Sequence, residues 1–283
     1  MTGPHATALR FELVVAPSIP LALPDPLPDG GARTWAPITS TLLLGEHDAV
    51  LIDPPLTLEQ ADAVGHRLES LERRLTCIVV THAHGDHWFT AATIAERLGG
   101  VEVVARAGVI EAMHRANDSR AGFWDRILPG RIPASPVIAV EAPDDEVELE
   151  GHRIRLLGAG RTDTDPTAVV HVPDLDLVVA GDVVYDDAHL FLVESDKHGR
   201  DAWRGALNML EALDPAHLVA GHATRSVDID PRRGGCSRRR GGTWTTSTSS
   251  SAPIPPRPGR TPRWSSATRV ERTPAPSGAA RWP

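Results

Sequence analysis

The apolar run Cys77-Ile78-Val79-Val80 leads directly into Thr81-His82-Ala83-His84-Gly85-Asp86-His87, and no other stretch of the chain constrains its fold as strongly. The apolar residues read as a β-strand that delivers the chain into a loop at its C-terminal end. In an extended segment side chains alternate between faces, so His82 and His84 point the same way and can share one metal ion. Asp86 and His87 follow at the turn, within reach of a second ion. Imidazole with carboxylate suits zinc, iron or manganese, and zinc is the default for a hydrolytic site. A surface loop with four unrelated polar residues would not need this register.

The rest of the composition narrows the class. The chain has 283 residues, enough for one large domain or two small ones with a substantial core. No run approaches the roughly 20 apolar residues of a membrane span. The N-terminal Met-Thr-Gly-Pro-His-Ala-Thr lacks the basic and apolar blocks of a signal peptide. Cys77 and Cys236 form neither a disulfide framework nor a zinc-type pair. A cytoplasmic protein is the expectation. The net charge of −8 joins two unlike pieces: residues 231–283 carry eleven Arg against the single acid Glu271, which leaves −18 on residues 1–230. An acidic body of that kind does not suit a nucleic-acid partner.

Two segments follow. Residues 1–230 contain all thirteen histidines and alternate strand and helix patterns. Strands are expected at 9–16, 39–53 (with a turn at Gly45-Glu46-His47-Asp48), 75–80, 101–104, 137–140, 146–149, 154–157, 168–172, 177–180 and 218–220. Helices are expected at 58–73, about 86–98, 107–116, 120–128 and 201–213. Strands with interleaved helices in two halves predict a layered α/β sandwich. Residues 231–283, with nine Pro and Ser/Thr runs, hold no periodic segment. They read as a disordered basic tail or as a frameshifted C-terminus, since a one-base shift across 238–248 allows an amphipathic helix.

Two further polar residues follow apolar strands. Asp182 comes after Leu177-Val178-Val179-Ala180-Gly181, where a carboxylate could bridge two ions, and His222 comes after Leu218-Val219-Ala220-Gly221. Asp53, after Val50-Leu51-Ile52, is read as orienting the site from behind its ligands. Trp88 and Tyr185 stand beside these segments; core packing is the expected role of Trp88.

On Thr81–His87, Ala180-Gly-Asp-Val-Val-Tyr185 and Ala220-Gly-His222, the chain resembles the metallo-β-lactamase-fold hydrolases from about residue 38 to 222. The resemblance implies a four-layer αββα sandwich with metals at one edge of the two sheets. It implies His82 and His84 on a first metal, Asp86, His87 and His222 on a second, and Asp182 bridging. One piece departs from the family pattern. Another histidine normally serves the first metal in a Gly-His-Thr-like turn, and here the matching stretch is Gly160-Arg161-Thr162-Asp163-Thr164-Asp165. A guanidinium has no lone pair to donate, so the expectation is a weakened or empty first site beside a complete second one.

The function expected is that of a metal-dependent hydrolase. A bound divalent ion lowers the pKa of water to about 7, and the metal-bound hydroxide cleaves an ester, thioester, lactone or amide of a small molecule. Asp86 is the candidate catalytic residue, orienting the water and holding a proton. The cofactor expected is Zn2+, as one or two ions, with iron or manganese as substitutes. The alternative is a non-catalytic or degraded relative of the same fold. A redox relative using iron and a nucleic-acid-processing relative fit the chain less well.

Overall fold

The computed structural model describes residues 9–186, 188–223, 236–238 and 244–246. In chain order its elements are β1 (Arg10–Ala16), β2 (Ile19–Pro20), β3 (Thr34–Trp35), β4 (Ile38–Leu44), β5 (Asp48–Ile52), α1 (Leu58–Ser70), β6 (Arg74–Val79), α2 (Ala91–Arg97), β7 (Glu102–Ala105), α3 (Ala107–Ser119) and α4 (Trp124–Ile127). There follow β8 (Val140–Glu141), β9 (Glu146–Leu149), β10 (His152–Gly160), β11 (Thr167–Val172), β12 (Leu177–Val179), β13 (Tyr185–Asp186), α5 (Lys197–Leu213), β14 (His217–Val219), β15 (His222–Ala223), β16 (Cys236–Arg238) and β17 (Trp244–Thr246). One sheet has the order β1-β4-β5-β6-β7-β8 and the other β17-β16-β14-β12-β11-β10-β9. Apart from β16 and β17, the tail lies outside the described residues, as does the boundary expected at 230.

Strand alternation builds the layers. Along β5, Val50 and Ile52 enter the cluster that also holds Leu156, Val170, Leu177 and Val179 of the other sheet. Ala49 and Leu51 face the opposite way, among Val64 and Leu68 of α1 and Ile94 of α2. The second sheet repeats the pattern. Leu177 and Val179 of β12 face the first sheet, and Val178 joins Trp203, Ala206 and Leu210 of α5. Three apolar interfaces therefore separate four layers, helices–sheet–sheet–helix, as an αββα sandwich. Ile52 and Val79 are fully buried. Truncating such a side chain to Ala costs about 2–5 kcal/mol at this kind of packing.

The layers set the direction of the strand ends. Strands β5, β6 and β7 run parallel, as do β12 and β14. Their C-terminal ends release the chain at Asp53, Val80–His87, Ala180–Asp182 and Ala220–His222. Two glycines let these ends meet. A Cβ at Gly221 would collide with the Asp182 carboxylate and the Gly181 backbone. Gly181 has a φ of +51°, and a Cβ there would sit 2.7 Å from Thr81 Oγ1.

Several elements differ from the sequence expectation; the helix expected at 120–128, for one, is a 3-10 turn at Arg120–Gly122 followed by the four-residue α4, and the short strands β2, β3, β13 and β15 stand where none is expected. The helix expected from 86 begins at Ala91, because Gly85–His87 forms a single 3-10 turn that spreads the polar side chains first. Helix α5 begins at Lys197, not 201, because the Asp196 side chain accepts from Gly199 N at 2.7 Å and caps a first turn with no apolar periodicity. Strand β8 shrinks to two residues at 140–141. Among the described residues no helix is long and apolar enough to cross a membrane.

Candidate metal centre

All six residues singled out from the sequence, His82, His84, Asp86, His87, Asp182 and His222, converge at the strand ends. Side-chain atoms of His82, His84, Asp163 and Asp182 lie within 4.8 Å of one another, and so do those of Asp86, His87 and His222. Asp182 stands between the two groups. Its Oδ1 is 3.2 Å from His87 Nε2, and its Oδ2 is 3.3 Å from His222 Nε2 and 4.0 Å from His82 Nε2.

Each histidine has one nitrogen engaged behind the site and the other aimed into it. The Thr81 hydroxyl donates its only hydrogen to Asp53 Oδ2 at 2.6 Å, so it accepts from His82 Nδ1 at 3.0 Å and leaves the lone pair on Nε2. His87 Nδ1 donates to Asp53 Oδ2 at 3.1 Å, and His222 Nδ1 donates to the Pro37 carbonyl at 2.7 Å. His84 is turned the other way, with Nε2 donating to Glu194 Oε1 at 3.3 Å and Nδ1 facing inward, 2.9 Å from Asp163 Oδ2. Such outer hydrogen bonds fix both tautomer and ring orientation in metal-ligating histidines. Asp53 thus lies behind the site, its oxygens also bonded to the backbone N–H and hydroxyl of Thr81. Asp86 is fixed by the Trp35 indole, which donates to Oδ2 at 2.7 Å. Tyr185 donates its hydroxyl to Asp182 Oδ2 at 2.6 Å. Trp88 is fully buried in the core between the first sheet and its helices.

The inward atoms lack partners. His82 Nε2, Asp86 Oδ1, His87 Nε2, Asp163 Oδ2 and Asp182 Oδ1 are buried without a hydrogen bond, five of the ten such side-chain atoms among the described residues. Buried polar atoms left unpaired are costly, and four of these, on His82, His87, Asp163 and Asp182, face one another in pairs within the cluster and fit a cation. The electrostatics agree. Burial opposes charge on His84, His87 and His222, yet the facing carboxylates overcome it. Asp163 holds the His84 imidazole well above its ordinary value, Asp182 and Asp86 do the same to His87, and His222 is raised to about 10. His82 moves down, through burial and the neighbouring His87. Asp182 is held well below the usual carboxylate range, against its burial, by His222 and His87.

Arg161 lies elsewhere than its position in the motif implied. Its Nη2 donates to the Glu194 carbonyl at 2.9 Å and its Nη1 is 3.4 Å from Asp196 Oδ1, so the guanidinium braces the 194–196 loop. Two residues on, Asp163 turns inward and is completely buried. A carboxylate thus stands beside His82 and His84 close to where the motif register placed an arginine. Sequence reasoning passed over Asp163, Glu194 and Trp35. Only Asp163 left a signal, the short polar run Thr162-Asp163-Thr164, whose side chains can bond one another and so tolerate burial.

Known proteins share this architecture. Among solved structures, a metallo-beta-lactamase from Pontibacter korlensis superposes with a TM-score of 0.55 at 18% identity, covering 78% of this chain and 90% of that one. The metallo-beta-lactamase FIM-1 from Pseudomonas aeruginosa, in its mono-zinc form, gives 0.52 at 14% identity over 76% of this chain and 84% of that one. A metallo-beta-lactamase family protein from Thermus thermophilus gives 0.51 at 20% identity, covering 74% of this chain and 73% of that one. At these identities the likeness establishes the fold. No curated protein matches the chain. Residues 33–222 match the sequence profile of the Metallo-beta-lactamase superfamily, a span that takes in every residue of the cluster, and the chain belongs to that superfamily.

Proposed function

We propose that this protein is a metal-dependent hydrolase that cleaves an ester, thioester, lactone or amide of a small molecule at a two-metal centre. The observation that carries the reading is the set of four histidines, three buried and His84 only partly exposed, each held from behind and each turning its other nitrogen toward Asp86, Asp163 or Asp182. His82 and His84 would hold one ion, Asp86, His87 and His222 the other, and Asp182 would reach both. Zinc is the first ion to test, since imidazole dominates the donors. Divalent ions bound there supply hydroxide near neutral pH and polarise the substrate carbonyl.

The side chains provide the rest. Trp35 occupies Asp86 Oδ2 and leaves Oδ1 free to orient the attacking water and take its proton. The Tyr185 hydroxyl keeps Asp182 in place by a 2.6 Å hydrogen bond. The segment 190–193 borders the site, with the Phe191 ring 5.2 Å from that of His84 and with Leu190, Leu192 and Val193 exposed. Apolar side chains at that border favour substrates with an apolar acyl group. The acidic body disfavours a nucleic-acid substrate.

The test is a screen of the zinc-loaded full chain against acyl esters, acyl thioesters, lactones and β-lactams, with metal content measured alongside. Turnover that disappears on chelation and returns with metal supports the proposal. Two bound ions with no turnover of any class would make the chain a non-catalytic relative.

A further inference from the structure

The loop between β10 and β11 supplies a group that the motif did not predict. The register of the two strands shifts between Gly158 and Gly160, and Gly160 has a φ of +73°. Beyond it the chain forms a small self-bonded turn. Thr162 N donates to the Thr164 carbonyl at 2.8 Å, and the Thr162 hydroxyl donates to Asp163 Oδ1 at 2.7 Å. That bond fixes one carboxylate oxygen and aims the other. Asp163 Oδ2 sits 2.9 Å from His84 Nδ1 and 3.7 Å from His82 Nε2, fully buried and without a hydrogen bond. Side-chain atoms of His82, His84, Asp163 and Asp182 all lie within 4.8 Å of one another, close enough for one cation to meet this carboxylate oxygen and both imidazoles.

We infer that Asp163 is itself a ligand of the first metal, standing where an imidazole would otherwise serve, and that it makes the two halves of the centre alike in their donors. Each half then consists of two histidines, one aspartate of its own and a share of Asp182: His82, His84 and Asp163 in one, His87, His222 and Asp86 in the other. This rests on the two-metal reading above and goes beyond it in two respects. An added carboxylate brings the fixed ligand charge of the centre to three carboxylates facing two divalent ions. Oxygen donors also suit harder ions better than imidazole does, so Asp163 shifts the first half toward Mn2+ relative to Zn2+.

The experiment titrates the metal-free full chain with Mn2+ alone and with Zn2+ alone, in the natural protein and in Asp163→Asn and Asp163→His. Ion stoichiometry comes from equilibrium dialysis, and manganese pairing from electron paramagnetic resonance. Asparagine retains the acceptor for Thr162, and circular dichroism before metal addition checks folding; should that variant not fold, Asp163→His carries the test alone. The natural protein is expected to bind two Mn2+ with an exchange-coupled signal. Asp163→Asn is expected to bind one, with the six-line signal of an isolated ion. Asp163→His is expected to keep two Zn2+ and to lower the Mn2+-to-Zn2+ affinity ratio of the altered half by about tenfold or more. Two coupled Mn2+ in Asp163→Asn, or an unchanged ratio in Asp163→His, overturns the inference and leaves the hydrolase reading standing. A natural protein that binds neither ion overturns both.

Discussion

The two halves of the candidate metal site share their donor types and differ in what holds them. The half containing Asp86, His87 and His222 is braced by strands and strand ends: Asp53 at the end of β5, Trp35 in β3 of the small β2–β3 ribbon, and the Pro37 carbonyl just before β4. Its side chains are at most 5% exposed. The half containing His82, His84 and Asp163 depends partly on a loop. His84 is 16% exposed, and its brace Glu194, half exposed, is kept in reach by Thr164. Strand-end supports are set once the sheets pair, whereas a loop support adds its own ordering cost. The first half should therefore be the weaker binder of the two.

Asp182 tests the comparison most severely, because its carboxylate oxygens lie near histidines of both halves. Asp182→Ala is expected to lose both ions and to lower kcat/KM by about 10³-fold or more, a loss of several kcal/mol of charge stabilisation. Metal analysis of the purified variant checks it. If one ion remains at full occupancy, Asp182 belongs to a single half and the symmetry is broken.

Metal removal comes next. Ligands that bind only the folded chain stabilise it, by about 2.7 kcal/mol at a hundredfold excess over Kd. Increasing chelator should lower the thermal unfolding midpoint in two steps, with the first half emptying before the second. A single step at one chelator concentration would make the two halves equally strong.

The supports then separate them. Asp53→Asn weakens the brace behind His87 and, through Thr81, that behind His82, whereas Glu194→Gln weakens the brace behind His84 alone. Changes behind a ligand cost about 10–100-fold in metal affinity. Asp53, fully enclosed, should fall at the upper end, and Glu194 at the lower end. Titration of each variant with zinc gives the order, and the reverse order would mean that the loop, not the sheet, sets the affinity.

Much of this arrangement is legible in the chain. The continuous apolar runs at 49–52 and 177–179 mark strands buried on both faces, and a polar residue after each run marks the edge where they end. That is enough to bring together His82, His84, Asp86, His87, Asp182 and His222. The supports are not legible, for a physical reason. Trp35 meets Asp86 across 51 positions, Glu194 meets His84 across 110, and Pro37 meets His222 across 185. No local pattern encodes such pairings, because they exist only once two sheets have packed. Asp163 is hidden for a different reason: the family register points to position 161, while the local turn directs position 163 inward.

That turn leads to the smallest expected effect. If the missing histidine were the defect its register suggests, Arg161→His would restore a ligand and increase ion binding. The side chain of Arg161, however, is about a third exposed and faces Glu194 and Asp196. Gly199 packs against it, since a Cβ there would lie 3.0 Å from Arg161 Nε. A shorter imidazole at 161 would lose the contacts to the 194–196 loop without reaching the inward nitrogens. The expected outcome is an unchanged number of ions, with affinity in the first half reduced slightly through a looser Glu194. Dialysis against zinc measures both. A gain in affinity at the first half would mean that position 161 can turn inward after all, and Asp163 would then share its role with the residue two places before it.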